Sequence, residues 1–369
     1  MRVTEPYTIF LRTLPSGKQV YYYQFRYEDG RRSTPKTTGC DTMAKARRYC
    51  QMLYNSGKLD TAPDMRFRDF AARFFDPDGA FCKWKAVNGN PLKPETARRY
   101  NTSLLKHLMP FFSERHMKDI TRDVCKKWVI WANERWSPKS VNNAQGVLNL
   151  ILQTAVEKDI ITRNPLYKLG FRKIPRKTCD MLTEAELNSL YCMDWPTESH
   201  RQMFLLAAIT GMRIGEIVAL KKTDIKDGYL DVHADFSDRF GLQETTKTSM
   251  SRYVPFPSGF EFPESKCEWV FSKDGISPIK GHSVYNALTR RCEEIGIDTK
   301  ARGITVHSLR NFFISHMQKN NVPEPKIRAV VGHADTTMTD LYTYWTPDMF
   351  PEVYEAQLKL FNFITGSDA

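Results

Sequence analysis

Two arginines, two histidines, a lysine and a tyrosine stand in the second half of this 369-residue chain at spacings that suit anion chemistry. In Thr210-Gly211-Met212-Arg213-Ile214-Gly215-Glu216, a glycine turn delivers Arg213 to the start of an amphipathic helix. Glu216 lies one turn on along the same face. Taken alone, this pair reads equally as commonplace surface chemistry. Lys247, in Thr246-Lys247-Thr248 ahead of Arg252-Tyr253-Val254-Pro255, sits near a hairpin tip, where a lysine is ordinarily just solvated. His307-Ser308-Leu309-Arg310 heads an apolar helix; the i, i+3 spacing puts His307 and Arg310 on one face, and a helix N-terminus favours anions. Alone, His307 also reads as a capping or core histidine. Gly332-His333 is followed nine residues after the histidine by Tyr342, on a short helix where aromatics usually serve packing.

Together the four motifs are far more specific than any one of them. The order Arg213, Lys247, His307-x-x-Arg310, Gly332-His333, Tyr342 resembles the catalytic signature of the tyrosine recombinases of the phage-integrase family. The resemblance implies a DNA strand transferase. Tyr342 would attack a phosphodiester, leaving a 3′-phosphotyrosine and a free 5′ hydroxyl. Lys247 would protonate the departing oxygen, His307 and His333 would assist at the phosphate, and Glu216 would orient its neighbours. The physics agrees. Without a metal, charge on the phosphoryl oxygens needs fixed positive groups, and two guanidinium groups supply bidentate donors. Neither metal, cofactor nor ATP is then expected, since the phosphotyrosine conserves the bond for resealing. The alternatives are a type IB topoisomerase-like activity and a catalytically silent DNA-binding regulator on the same fold. A metal nuclease finds no acidic cluster with a convincing ligand pattern.

Those residues must be held by an α+β fold in three parts. Residues 1–60 read as a three-stranded β-sheet plus one helix: strands at Tyr7–Thr13 and Gln19–Tyr27 around the turn Pro15-Ser16-Gly17-Lys18, a weaker strand at Arg31–Thr38, and a helix at Thr42–Ser56. After a linker at 59–64, residues 65–175 are helical. Phe67, Phe70, Ala71, Phe74 and Phe75 follow helical spacing; further helices run Pro94–Phe112, Thr121–Arg135 and Ser137–Asp159. Residues 180–369 are mixed. Thr183 and Glu186 form a capping box, Gln202–Ile209 is an apolar helix, and strands are expected at Tyr229–Val232, Gln243–Thr248, Arg252–Phe256 and Trp269–Ser272. Helices follow near 283–295, 307–319, 323–331, 336–345 and 350–361; the last packs in cis or onto a neighbouring protomer. By resemblance, residues 180–369 are the catalytic domain, 65–175 a core-site-binding domain and 1–60 an arm-site-binding module. The resemblance also implies core and arm DNA sites, a tetrameric synapse on DNA, and accessory DNA-bending proteins as partners.

Charge divides the chain in the same sense. Residues 1–178 hold 34 Lys and Arg against 16 Asp and Glu, whereas residues 179–369 hold 20 against 26. A basic first half suggests a grip on a polyanion, because neutralising phosphates releases counterions; a solvated basic surface is the bland alternative. The candidate DNA contacts are Arg31, Arg32 and Lys45 in the first part and Arg98, Arg99, Lys106 and Lys139 in the second. No run of about 18 apolar residues suggests a membrane span. The start lacks the apolar segment of a secretory signal. The eight cysteines form no C-x-x-C pair, so free thiols in a reducing cytoplasm, with the protein on the nucleoid, are expected.

Overall fold

The computed structural model describes residues 6–26, 32–33, 35–55, 65–174, 180–244, 251–332 and 345–367. The chain forms two compact units, Met1–Arg176 and Lys177–Ala369. Its mixed α+β character, with small antiparallel sheets and a helical core, is as expected from the sequence.

In the first unit, β1 (Tyr7–Thr13) and β2 (Gln19–Phe25) pair antiparallel, and β3 (Lys36–Thr37) adds to β2. Gly17, at φ +77°, makes the turn between β1 and β2, and its N–H donates to the Leu14 carbonyl at 2.8 Å. Helix α1 (Met43–Asn55) covers one sheet face, burying Cys50 against Tyr7 and Tyr23. Among the described residues the third strand is shorter than expected: beyond Lys36–Thr37 they show the single bridge Arg26–Arg32. Pro35 lies between them, and a proline cannot donate to a ladder.

The helical part begins with α2 (Phe67–Ala71), which stops before Arg73 at φ +54°; Phe74 and Phe75 therefore enter the core from a turn rather than a longer helix. Then come α3 (Ala80–Val87), absent from the sequence reading, and α4 (Pro94–Ser103). The expected helix to Phe112 is continuous in direction but not in hydrogen bonding. A π turn occupies Leu104–Leu108 before α5 (Met109–Phe112), with the Met109 N–H on the Leu104 carbonyl. Pro110 has no N–H for the i−4 carbonyl, so the ladder changes register beside it. Helix α6 (Arg122–Asn133) starts at the Thr121 cap, and α7 (Pro138–Glu157) starts at the Ser137 cap with Pro138 first in the helix. Trp128 is fully buried among Phe112, Leu148 and their neighbours, and its indole N–H donates to the His107 carbonyl at 3.0 Å.

The second unit is built around one apolar helix. Helix α8 (Glu184–Tyr191) carries the expected Thr183–Glu186 capping box, and α9 (Glu198–Thr210) is buried on all sides from Gln202 to Thr210. After α10 (Ile214–Val218), β4 (Ile225–Lys226) and β5 (Tyr229–Val232) lead into a hairpin, β6 (Asp235–Ser237) and β7 (Gly241–Gln243), and then β8 (Arg252–Pro255). Strand β8 pairs with β5, in the order β4-β5-β8. The expected strand Gln243–Thr248 is seen at Gln243 and has ended by Glu244, residues 245–248 lying outside the described residues. Trp269–Ser272 is not a strand. It makes isolated bridges, Lys221–Trp269 on one side and Ser272–Pro278 on the other, so no ladder propagates.

Helices α11 (Gly281–Glu294), α12 (Thr299–Arg302), α13 (Val306–Lys319) and α14 (Glu324–Val331) follow, and the last described helix, α15 (Pro351–Thr365), packs against α8 and α9 of its own chain. The expected helix at 336–345 lies outside the described residues apart from Trp345, which is not helical. No described helix is long and apolar enough to cross a membrane.

Candidate active site

Three arginines and one glutamate meet in the second unit. The local sequence delivers each of them. Gly211 caps α9 at φ +64°, and a Cβ there would come within 2.5 Å of the Phe313 ring, so the turn is reserved for glycine. Two residues on, Arg213 is the N-cap of α10, and Glu216 is the third residue of that helix. Glu216 Oε2 accepts the Arg213 backbone N–H at 2.8 Å, and Oε1 accepts its Nη1 at 2.8 Å. The pair is therefore not the surface ion pair that its sequence alone allowed: Glu216 is 1% exposed.

Sequence reasoning missed the residue that makes this burial tolerable. Arg252 opens β8, in the register that pairs Leu230 with Val254 and Val232 with itself. Strand side chains alternate, so Arg252 shares the core face of Val254, with Tyr253 opposite. Its guanidinium meets the Glu216 carboxylate two-on-two, Nη1 on Oε1 at 3.1 Å and Nη2 on Oε2 at 2.7 Å. A charged residue in phase with the buried valine was the available signal. Burial would raise the Glu216 carboxyl, but Arg252, with the Arg213 backbone and side chain, outweighs it and holds the group below the usual carboxylate range.

Arg310 comes from α13, is 2% exposed, and donates from Nη1 to the Gly211 carbonyl at 2.9 Å. Its other terminal nitrogen, Nη2, is buried without a hydrogen-bond partner among the described residues. Burial first, then the positive Arg213 and Arg252, push Arg310 down to about 9, against the opposing pull of Glu216. Three guanidinium groups thus share one carboxylate. An unpaired buried donor and an uncompensated positive cluster are costly on their own, and both needs are met by an anion with several acceptor oxygens.

His307, the second residue of α13, is exposed at the end of the helix that carries Arg310. Helix α14 ends at Gly332, φ +68°, and the Gly332 carbonyl accepts from Arg213 Nη2 at 3.1 Å. The structure thus brings Arg213, Glu216 and Arg310 together and adds Arg252. Lys247, His333 and Tyr342 lie outside the described residues, as does Tyr344. Among the described residues, no group of three or more His, Cys, Asp or Glu is placed to hold a metal ion.

The candidate DNA contacts of the first unit are exposed where they are described. Arg32 and Lys45 belong to the β-module, Lys45 pairing with Asp41 at 3.0 Å. Arg98 pairs with Glu95 at 2.7 Å, Lys106 projects from the π turn, and Lys139 lies in the first turn of α7. Arg99 lines a groove between α4 and α7 with Ser103, Asn142 and Asn143. Arg31 lies outside the described residues.

Against known proteins, the model of the phage integrase family matches residues 180–348, and that of the phage integrase SAM-like domain matches residues 42–173. A prophage ps2 probable integrase of Lactococcus lactis is 24% identical, over 92% of this chain and 97% of its own. Tyrosine recombinase XerA of Thermococcus onnurineus is 27% identical, over 51% of this chain and 66% of its own. Among solved structures, a lambda integrase tetramer bound to a Holliday junction has a TM-score of 0.60 at 18% identity, covering 91% of this chain and 98% of that one.

Proposed function

The chain belongs to the phage integrase family, and from that premise we propose that it is a site-specific DNA recombinase in which Tyr342 is the nucleophile. Tyr342 gives its hydroxyl proton to His307 as its oxygen forms a bond to phosphorus and the bond to the 5′ oxygen breaks, and the 5′ oxygen leaves with a proton from Lys247. A 5′ hydroxyl of the partner strand then gives its proton to Lys247 and attacks the phosphotyrosine, and the tyrosine leaves with the proton held by His307, so atoms and charge balance without a nucleotide. Arg213 and Arg310 donate to the non-bridging oxygens, where charge concentrates in the transition state. His307 and His333 assist at the phosphate.

The observation that carries this reading is the buried Arg310 Nη2, without a partner among the described residues, set in a cluster of three guanidinium groups and one carboxylate. Such a cluster answers a phosphodiester, whose charge grows as it reacts. The relatives are an integrase and a recombinase by name, which favours strand exchange over topoisomerase-like relaxation or silent regulation. The lambda integrase neighbour is a tetramer on a Holliday junction, and a four-protomer synapse on double-stranded DNA is the corresponding assembly here.

The test is covalent trapping on a nicked duplex, with the crossover site found by sequencing the DNA that the wild-type protein captures. Adduct is expected in excess EDTA and without ATP, because the arginines supply the charge that a metal would otherwise bring. A cleavage step that stops without magnesium would point to a nuclease instead.

We further propose the three-part division 1–60, 65–175 and 180–369, with the first part an arm-site module. Its support is the small sheet-plus-helix fold of the first 55 residues and the basic balance of the first half. A sheet of this kind can enter a major groove. Removing residues 1–60 is expected to erase footprints at sites distal to the crossover core and leave the core footprint. Equal loss at all sites, or none anywhere, would sink the idea of two DNA specificities.

A further inference from the structure

Arg252 has three engagements, and all of them lead to the catalytic cluster. It meets both oxygens of Glu216, donates from Nε to the Val330 carbonyl at 2.6 Å, and packs its guanidinium under Gly332, where a Cβ would come to 3.1 Å. Val330 and Gly332 are the C-terminal end of α14, directly before His333 in sequence. Arg213 holds the same end through the Gly332 carbonyl. Carbonyls at a helix C-terminus have no partner within the helix and favour cations, so two arginines at one helix end are well placed. A planar fork with a third, separate N–H holds both oxygens of a carboxylate side-on and a backbone carbonyl in one fixed geometry; a lysine ammonium offers the donors but not the fork.

Arg252 itself is largely buried. Its side chain is 8% exposed, and each of its three nitrogens is hydrogen-bonded within the protein. Arg310 differs, with Nη2 unpaired among the described residues. The division of labour follows: Arg310 keeps a donor for an anion, and every nitrogen of Arg252 is engaged in holding the others.

Resting on the reading of the chain as a tyrosine recombinase, we propose that Arg252 is a positioning residue for cleavage: it neutralises Glu216 and binds it to the end of α14, so that Glu216 can hold the Arg213 guanidinium on the phosphate. The charged groups facing Glu216 are Arg213 from the turn before α10, Arg252 from β8 and Arg310 from α13. Asp235 of β6 packs beside Gly215. Without Arg252, burial is left opposed by Arg213 and the weaker pull of Arg310. The carboxyl then rises and takes up a proton as pH falls. A protonated Glu216 loses acceptor strength toward both the backbone and the side chain of Arg213.

The experiment compares full-length wild type, Arg252→Met and Arg252→Lys in single-turnover cleavage of the nicked crossover duplex, with site binding and melting temperature measured in parallel. Arg252→Met is expected to cleave about 10²-fold more slowly, as small misplacements of a catalytic group do. Its site affinity should change little, because phosphate contacts across the interface dominate binding. Its rate relative to wild type should rise with pH across the range tested, because a buried carboxyl that has lost a cation holds its proton more tightly. Arg252→Lys keeps the charge and should hold a constant ratio to wild type across that range, at an intermediate rate. A wild-type rate for Arg252→Met, or a slow rate whose ratio to wild type ignores pH, would overturn the proposal. Should Arg252→Met not fold, Arg252→Lys decides: slowing of about tenfold or more at an unchanged melting temperature supports positioning, and anything less overturns it. If wild type itself forms no adduct on any DNA, the recombinase reading falls and this proposal with it.

Discussion

Arg310→Met is expected to slow cleavage by about 10²–10³-fold, the usual cost of losing one donor to a developing oxyanion, while leaving the protein at least as stable as wild type. The two halves of that result have one cause. Arg310 is buried beside two other positive groups, donates once, to the Gly211 carbonyl, and has a terminal nitrogen with no described partner. A charged group so placed weakens the fold in the absence of a ligand, and a well-packed apolar side chain of similar length relieves that strain. The sign with pH can be stated. Burial and the neighbouring guanidinium groups push this guanidinium down to about 9 from its ordinary value, so the unfolded chain binds this proton more tightly than the folded one. Its cost to stability is complete below about pH 9 and is relieved as pH rises above that value. Thermal melts of wild type and Arg310→Met at neutral pH check the first half. Single-turnover cleavage checks the second. A marked fall in melting temperature would show that Arg310 is structural and not reserved for an anion.

Lys247 provides the contrast within the same experiment. Lys247→Ala should also be slow, by about 10²–10⁴-fold, because the 5′ alkoxide needs a proton as it leaves. Replacing the 5′ bridging oxygen with sulfur removes that need, since a thiol has a pKa of about 8.5. Rescue is therefore expected for Lys247→Ala and not for Arg310→Met, whose partner oxygens are unchanged. Rescue of both, or of neither with wild type active on the sulfur substrate, would undo the assignment of roles.

Much of the scaffold was legible because its determinants are local. Thr121, Ser137 and Thr183 announce helix starts, since a short hydroxyl side chain can satisfy the first free N–H groups. Gly17 announces the hairpin for a comparable reason. The π turn at Leu104–Leu108 sits beside Pro110, inside the span expected as one helix from Pro94 to Phe112. The candidate site was legible only as separate motifs. Arg213 and Glu216 are three residues apart, as are His307 and Arg310, and a helix places such pairs within reach. That Glu216 is buried, that Arg252 comes to it from a strand, and that both arginines reach the end of α14 depend on packing between elements far apart in sequence. Trp269–Ser272 failed as a strand for the same reason: its composition suits a ladder, but its neighbours on the two sides belong to different segments.

Tyr342→Phe is expected to abolish covalent adduct formation while leaving site affinity nearly unchanged. The substitution removes one hydroxyl, and that hydroxyl is the atom that would bond to phosphorus; no neighbouring group can substitute for it in forming the ester. Affinity is set by many phosphate and base contacts spread over the duplex, so one lost hydroxyl changes it little. Tyr344 stands two residues on, outside the expected motif, and Tyr344→Phe is expected to retain adduct formation. Gel-shift binding and denaturing-gel detection of the adduct, run on both variants, separate recognition from chemistry.

The most direct test is to find the phosphorylated atom. Wild-type protein trapped on the nicked duplex, digested with nuclease and trypsin, should yield the peptide Ala329–Lys359 carrying a nucleotide remnant. That peptide contains Tyr342, Tyr344 and Tyr354, so fragmentation must locate the modified side chain. The remnant is expected on Tyr342, joined through the 3′ phosphate of the DNA. A remnant on Tyr344, Tyr354 or any other residue, or a linkage through the 5′ end, would contradict the account.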